Sequence, residues 1–135
     1  MEKATFTLAT YKFDKVLIDI ENQANTDLNI HLAPSGKFDE IEKIFFLSFV
    51  FKAYNDDIEK PFILINCVSE FKFENVTTIK DIPSYFYKNS IAIIFPYIRA
   101  FISTVTLQAN IKPLVLPTFN LSSLSEPLEN NTILK

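Results

Sequence analysis

The chain has 135 residues, a hydrophobic fraction of 48%, a charged fraction of 21% and a formal net charge of −3. This balance is typical of a single globular domain, here residues 1–135, that can bury a substantial core. A single glycine, a single cysteine and a single histidine exclude a glycine-rich phosphate loop, a disulfide framework and a cysteine–histidine zinc cluster. We therefore expect no cofactor and no metal, and the mildly negative charge argues against nucleic acid as a partner.

The N-terminal residues lack the basic start and apolar run of a signal peptide, and the lone Cys67 fits a reducing compartment. We therefore expect a cytoplasmic protein. The stretch Ile91–Ala109 is long and apolar enough to cross a bilayer. Arg99 lies near its centre, however, where a charge in lipid costs about 2.5–3.5 kcal/mol. We predict a buried helix of a soluble protein there, and no membrane insertion.

Apolar residues alternate in two-residue steps over Thr5–Glu21, which predicts a long strand. The alternation changes phase near Asp14, as a β-bulge or a sharp bend would cause. The next segment, Asn22–Gly36, is the most polar of the chain, and we predict a loop there. His31 lies in this segment without a carboxylate or a second histidine at ligand spacing, so we predict an exposed loop histidine.

Two further strands are predicted, over Lys37–Tyr54 and over Pro61–Val76. The first of them is apolar on both faces, so we expect both faces to be covered. In the second, residues of one parity are apolar, while those of the other parity pass from apolar to charged. Cys67 has the apolar parity and is predicted to be a structural thiol in the core.

A short helix is predicted to open at Asp81–Ser84, with its proline early in the first turn. A second, longer helix is predicted from Asn89, because isoleucine and phenylalanine recur with the helical period as far as Val105. The remaining predicted segments are an extended strip, one turn of helix that Pro127 ends and a loose tail: Lys112–Pro117, Leu121–Leu124 and Asn130–Lys135.

The run Phe95-Pro96-Tyr97-Ile98-Arg99, followed by a proline-containing strip over Pro113–Leu124, resembles the bacterial protein-export chaperone family SecB. The opening Thr5–Leu8 also resembles the first strand of that family. The resemblance implies an α+β fold, with a four-stranded antiparallel sheet and helices packed on one face. It also implies a homotetramer, built as a dimer of dimers with the long helices between two sheets.

For function, the resemblance implies an ATP-independent holdase chaperone rather than an enzyme. Such a chaperone binds unfolded preproteins in an exposed apolar groove and delivers them to the translocase motor SecA. For the client-binding residues we predict Phe38, Phe62, Leu64, Tyr85, Phe86, Leu121 and Leu124. For the oligomer interface we predict Phe95, Arg99, Phe101, Ile102 and Val105, with Arg99 in an ion pair that joins subunits or positions the helix. For the SecA contact the resemblance implies Asp14, Asp19 and Glu21.

An alternative within the same family is a SecB-like chaperone dedicated to an antitoxin or to another single client. The last helix, shortened by Pro127, fits such a specialised role. An enzyme or a small-ligand carrier is disfavoured, because the carboxylate pairs Asp39/Glu40 and Asp56/Asp57 have no basic or histidine partner at a fixed spacing.

Overall fold

The computed structural model describes residues 3–116 and 118–135. Met1, Glu2 and Pro117, which belong to the N-terminal segment and to the extended strip of the sequence analysis, lie outside the described residues.

Within the described residues, the chain forms a five-stranded sheet with the strand order β1-β4-β3-β2-β5. Neighbouring strands are antiparallel except β5, which is parallel to β2. Two helices and short 3-10 turns complete the fold, so the predicted α+β class is confirmed, with a fifth, parallel strand that was not expected. The bounds are Thr5–Ile18 (β1), Asn29–Asp39 (β2), Ile44–Tyr54 (β3), Ile63–Glu74 (β4), Ser84–Gln108 (α1), Ser125–Asn130 (α2) and Thr132–Leu134 (β5).

Phenylalanine side chains fill the space between the sheet and α1. Every second residue of β3 and β4 is buried on this face, which is the period that a strand imposes. Phe86 of α1 is 0% exposed, and its ring meets the rings of Phe6, Phe45 and Phe71 edge to face, at 4.8, 4.7 and 5.6 Å. Such pairs add about 0.5–1.5 kcal/mol each to the burial itself, so this cluster anchors the start of α1 to the sheet.

Strand β1 contains the predicted irregularity. Its pairing with β4 shifts register between Phe13 and Lys15, and again between Leu8 and Thr10. The first shift lies where the apolar alternation changes phase, so the expectation of a bulge near Asp14 is confirmed. Without these shifts the apolar residues of β1 would turn to the wrong face of the sheet.

The polar segment before Lys37 is strand rather than loop. Strand β2 begins at Asn29, and the chain turns at residues 40–43 before β3, so the predicted loop Asn22–Gly36 and the single strand Lys37–Tyr54 are wrong. Gly36 resembles a turn signal, but a Cβ atom there would collide with the ring of Phe45. Close packing, rather than a turn, is therefore the reason for the glycine.

Helix α1 is one continuous helix, so the predicted helix pair is wrong. The sequence near Asn89 resembles a second N-cap, yet Ser90 and Ile91 are buried within the same helix. The helix ends where Asn110 adopts a left-handed backbone conformation, with φ of 60°, as helix ends commonly do. By length and hydropathy α1 could cross a membrane, but one side of it is packed against the sheet, as the sequence predicted for a core helix.

The C-terminal residues are ordered into structure, so the predicted loose tail is wrong. Leu121–Leu124 forms the predicted turn of helix, but the chain continues as α2 because Pro127 lies in the first turn, where a proline is tolerated. Leu128 is 0% exposed. Residues 132–134 then pair with Gly36–Phe38, which attaches this segment to the sheet.

Candidate functional site

A groove lies between the loop that follows β1 and the extended strip that follows α1. Its volume is about 280 Å³, and the residues that line it come from the loop, the start of β4 and the strip. Leu28, Phe62, Leu114 and Val115 supply the apolar surface. Phe62 forms the floor and is only 3% exposed, whereas Val115 on the rim is 78% exposed. An exposed apolar groove of this kind suits an extended segment of another chain.

The loop wall of the groove is fixed by one buried asparagine. Asn55 donates from Nδ2 to the carbonyl oxygen of Asn25 at 3.2 Å and to that of Asp27 at 3.0 Å. Its Oδ1 accepts from the backbone N–H of Ala24 at 2.8 Å. Because Asn55 is 7% exposed, these bonds face little competition from water, and they hold the loop in one conformation.

The strip wall is fixed from α1. Arg99 donates from Nη1 to the carbonyl oxygen of Leu116 at 2.7 Å, and its guanidinium lies 5.3 Å from the ring centroid of Phe95. Thr106, which is 0% exposed, accepts from the backbone N–H of Leu114 at 3.1 Å. The extended strip is thereby held at two points, and Arg99 positions it through a backbone carbonyl.

A second apolar surface follows the outer side of α1. Large apolar side chains recur there at helical spacing, with exposed fractions of 38% for Ile93, 44% for Tyr97 and 60% for Leu107. From Asn89 to Ile111 the sequence contains no charged residue other than Arg99. The ring of Tyr97 also packs at a tilt against the ring of Tyr11 of β1, with centroids 4.6 Å apart, so this surface, the α1 stripe, reaches the edge strand.

The predicted client-binding residues lie in different parts of the structure. Phe62 lies in the groove. Phe38 and Phe86 are each 0% exposed within the phenylalanine core, so the client contact predicted for them is corrected to a core role. Leu121 and Leu124 are half-buried and pack against the same core.

The two remaining predicted client residues lie elsewhere. Leu64 is half-buried on the sheet face opposite α1. Tyr85, at the start of α1, donates its hydroxyl to the carbonyl oxygen of Ala4 at 2.9 Å. The predicted residues therefore do not form one surface, because parity and hydrophobicity alone do not tell a groove residue from a core residue.

The predicted oligomer-interface residues mostly face inward. Phe95 and Ile102 are 2% and 0% exposed, so their predicted place in an interface is corrected to the core. Phe101 stacks on Phe13 of β1, with ring centroids 3.9 Å apart, and Val105 is half-buried beside the core. The helical period identified the buried side of α1 and missed the exposed stripe, for which the uncharged run from Asn89 to Ile111 was the available signal.

The predicted SecA-contact residues are partly engaged within the chain. Asp14 accepts from Nδ2 of Asn66 at 2.8 Å. Asp19 caps the 3-10 turn after β1 by accepting from the backbone N–H of Glu21 at 3.2 Å. Glu21 is exposed. The three do not share one strand face, and contact with SecA stays a prediction.

Neither the single cysteine nor the single histidine lies in a site for catalysis. Cys67 is 1% exposed, and burial, followed by the nearby charge of Asp14, raises the pKa of its thiol to about 11, which disfavours the nucleophilic thiolate. His31 is exposed on β2, opposite Lys52. Among the described residues, no group of histidine, cysteine and acidic side chains could hold a metal ion.

Sequence comparison finds similarity over only part of the chain. No protein-family profile matches the chain. The uncharacterized protein MJ0357 of Methanocaldococcus jannaschii is 50% identical over 48 residues, which are 33% of this chain and 31% of that protein. The aligned part therefore spans only about a third of that relative, and it assigns no activity.

Comparison of the fold is more informative. The SecB-like chaperone Rv1957 of Mycobacterium tuberculosis, in complex with a ChAD peptide from the antitoxin HigA1, superposes with a TM-score of 0.68. The match covers 85% of this chain and 88% of that one, at 12% sequence identity. The chain has a SecB-like fold. A protein of unknown function from Streptococcus agalactiae aligns with a TM-score of 0.48 at 13% identity and adds no argument.

The SecB-like fold gives the groove and the α1 stripe a structural context. Both surfaces are exposed in the isolated chain and are largely apolar, although Lys112 also lines the groove. Monomeric proteins rarely expose continuous apolar surface without using it for contact with another molecule. The two surfaces are therefore candidate sites of contact with other molecules.

Proposed function

We propose that this chain is a SecB-like chaperone that holds an unfolded segment of one dedicated client in the groove between the loop and the strip. The observation that carries the proposal is the apolar groove, with both walls fixed, on a SecB-like fold. The M. tuberculosis protein of the same fold was solved with an antitoxin peptide, which supports an antitoxin as the kind of client. Delivery of preproteins to SecA has no comparable support and stays a prediction.

The groove can be tested with a permanently unfolded protein such as reduced α-lactalbumin. Val115→Asp places a charge on the exposed rim, where folding is little affected, and we expect it to weaken binding about tenfold, because an apolar segment must then desolvate a carboxylate. Suppression of aggregation of the unfolded protein, and its affinity by fluorescence anisotropy, are the measurements.

A matched control is available at Ile41, which is 88% exposed in the turn between β2 and β3. Ile41→Asp makes the same chemical change outside the groove and should leave binding unchanged. Equal losses in both variants would contradict the groove as the binding surface. A pull-down from the source cells that yields many unrelated proteins, rather than one, would favour a general holdase over a dedicated chaperone.

We also propose that a second copy of the chain covers the α1 stripe, in the homotetramer that the sequence resemblance implies. Ile93→Asp together with Tyr97→Asp should convert the assembly to a smaller species, since both side chains are exposed in the single chain. Sedimentation equilibrium measures the mass. A monomeric unaltered chain, or an unchanged mass in the double variant, would rule out this interface.

A further inference from the structure

The sheet face opposite α1 is open in the described part of the chain. The sequence predicted cover on both faces of β3, and this expectation is wrong for the single chain: no helix lies on that side. Cross-strand pairing places side chains of four strands in rows on this face. One row is Lys12, Val68, Ser48 and Ser35, and the next is Thr10, Glu70, Phe46 and Lys37.

A cavity of about 510 Å³ lies over the middle of these rows. Phe46, Val68 and Ile133 supply its apolar lining. On its polar side, Ser48 donates to Oδ1 of Asn66 at 3.0 Å, and the same asparagine holds Asp14, as described above. This side of the cavity is therefore already hydrogen-bonded. On the apolar side, Nζ of Lys135 lies 4.4 Å from the ring centroid of Phe46, and the remaining cavity beside Val68 and Ile133 offers space for an incoming side chain.

Lysines outnumber acidic residues on the open face, whose centre carries Phe46 and Val68 beside Glu70 and Ser48. The face carries six of the 13 cationic residues of the chain but only four of its 16 acidic ones, although the chain as a whole has a net charge of −3. Within residues 3–116 and 118–135, none of these lysines has a carboxylate partner. The lysines are Lys12, Lys15, Lys37, Lys52, Lys72 and Lys135, and the acidic residues are Asp14, Asp39, Glu70 and Glu74.

We propose that the open face binds an acidic polypeptide segment with an apolar side chain between two carboxylates. Lys12 on β1 and Lys37 on β2 are three strand spacings, or about 14 Å, apart across the sheet and one row, or about 7 Å, apart along it, which makes about 16 Å in all. An extended peptide covers this distance in about five residues. Its apolar side chain would enter the cavity against Phe46 and Val68, while its carboxylates meet the two lysines.

A polypeptide fits this face better than a nucleic acid. A nucleic acid would bring a dense row of phosphates to a surface that also carries four carboxylates, on a chain whose net charge is negative. An acidic peptide supplies both an apolar side chain for the cavity and two separated carboxylates for Lys12 and Lys37. This site is distinct from the groove, so the chaperone would contact a second partner while it holds a client.

The probe is a short synthetic peptide with two glutamates four residues apart and leucines between them, compared with the same peptide carrying lysines in place of glutamates. We expect the acidic peptide to bind and the basic one not to bind. Lys12→Glu together with Lys37→Glu should weaken binding of the acidic peptide about tenfold or more and allow the basic peptide to bind. Fluorescence anisotropy at two salt concentrations measures both affinities.

Two controls separate this proposal from the others. Lys80→Glu with Lys88→Glu reverses two exposed lysines that do not lie on the open face, and it should leave peptide binding intact. Val115→Asp should also leave it intact, because the groove is a different surface. Similar binding of both peptides, no effect of the Lys12/Lys37 reversal, or a single-stranded oligonucleotide that displaces the acidic peptide would overturn the proposal.

Discussion

The two faces of the sheet are built from the same strands but differ in side-chain composition and in burial. The covered face carries phenylalanine, leucine and isoleucine at buried positions, whereas the open face mixes lysine, serine, asparagine and a few apolar residues. Adjacent residues of β3 and β4 thus belong to different environments. One face therefore supplies the buried core of the fold, while the other remains accessible in the single chain.

The largest contrast should appear when a phenylalanine is truncated on each side. Phe86→Ala removes a ring that is 0% exposed, and we expect the free energy of unfolding to fall by about 3–5 kcal/mol. Phe46→Ala, on the open face, should lower it by about 1 kcal/mol or less, because its ring is only half-buried. Urea denaturation followed by circular dichroism measures both, and comparable losses would remove the distinction between the faces.

The pH dependence of the free energy of unfolding tests the burial of Cys67, which lies on the covered face. Burial raises the pKa of its thiol from 9.0 to about 11, so the unfolded chain ionises first. The buried neutral thiol therefore stabilises the folded state fully below pH 9. The free energy of unfolding falls by on the order of 2 kcal/mol as the pH rises through 11.

Cys67→Ala serves as the reference for this titration, because every other group still ionises in it. The difference in unfolding free energy between the two proteins should therefore change between pH 9 and 11. A constant difference would mean that the thiol is not desolvated.

The smallest effect is expected on the open face. Lys12→Ala with Lys37→Ala should change the free energy of unfolding by no more than about 0.5 kcal/mol, since both side chains are exposed and lack a carboxylate partner among the described residues. Thermal melting at low and high salt is the measurement. A larger loss would show that these lysines serve the fold rather than a partner.

Periodicity predicted the fold where one face is consistently apolar. Strand β4, the bulge near Asp14 and the buried side of α1 follow directly from it. It did not identify β2, because Pro34 and Gly36 resemble turn signals. Over most of its length β2 borders only β3, so the proline is tolerated there, and Gly36 is required by the ring of Phe45.

The site was harder to predict than the fold. Phe62 was predicted to bind a client and lies in the groove, but its neighbours Leu28 and Val115 are far apart in the sequence and meet only after folding. Arg99 was predicted to form an ion pair that joins subunits or positions the helix. In the structure it donates to the backbone carbonyl of Leu116 in the strip, a contact that no side-chain pattern can indicate. The lysines of the open face come from different strands, so their clustering depends on the strand order.

For the client proposed above, the fixed walls of the groove decide which molecule loses entropy on binding. Asn55 on one side and Arg99 with Thr106 on the other already restrain the groove, so the ordering of the complex falls almost entirely on the incoming chain. The affinity of a client should then depend on the stiffness of its segment as well as on its hydrophobicity. A segment made rigid by proline outside its contact residues would bind more tightly than a flexible one with the same contacts.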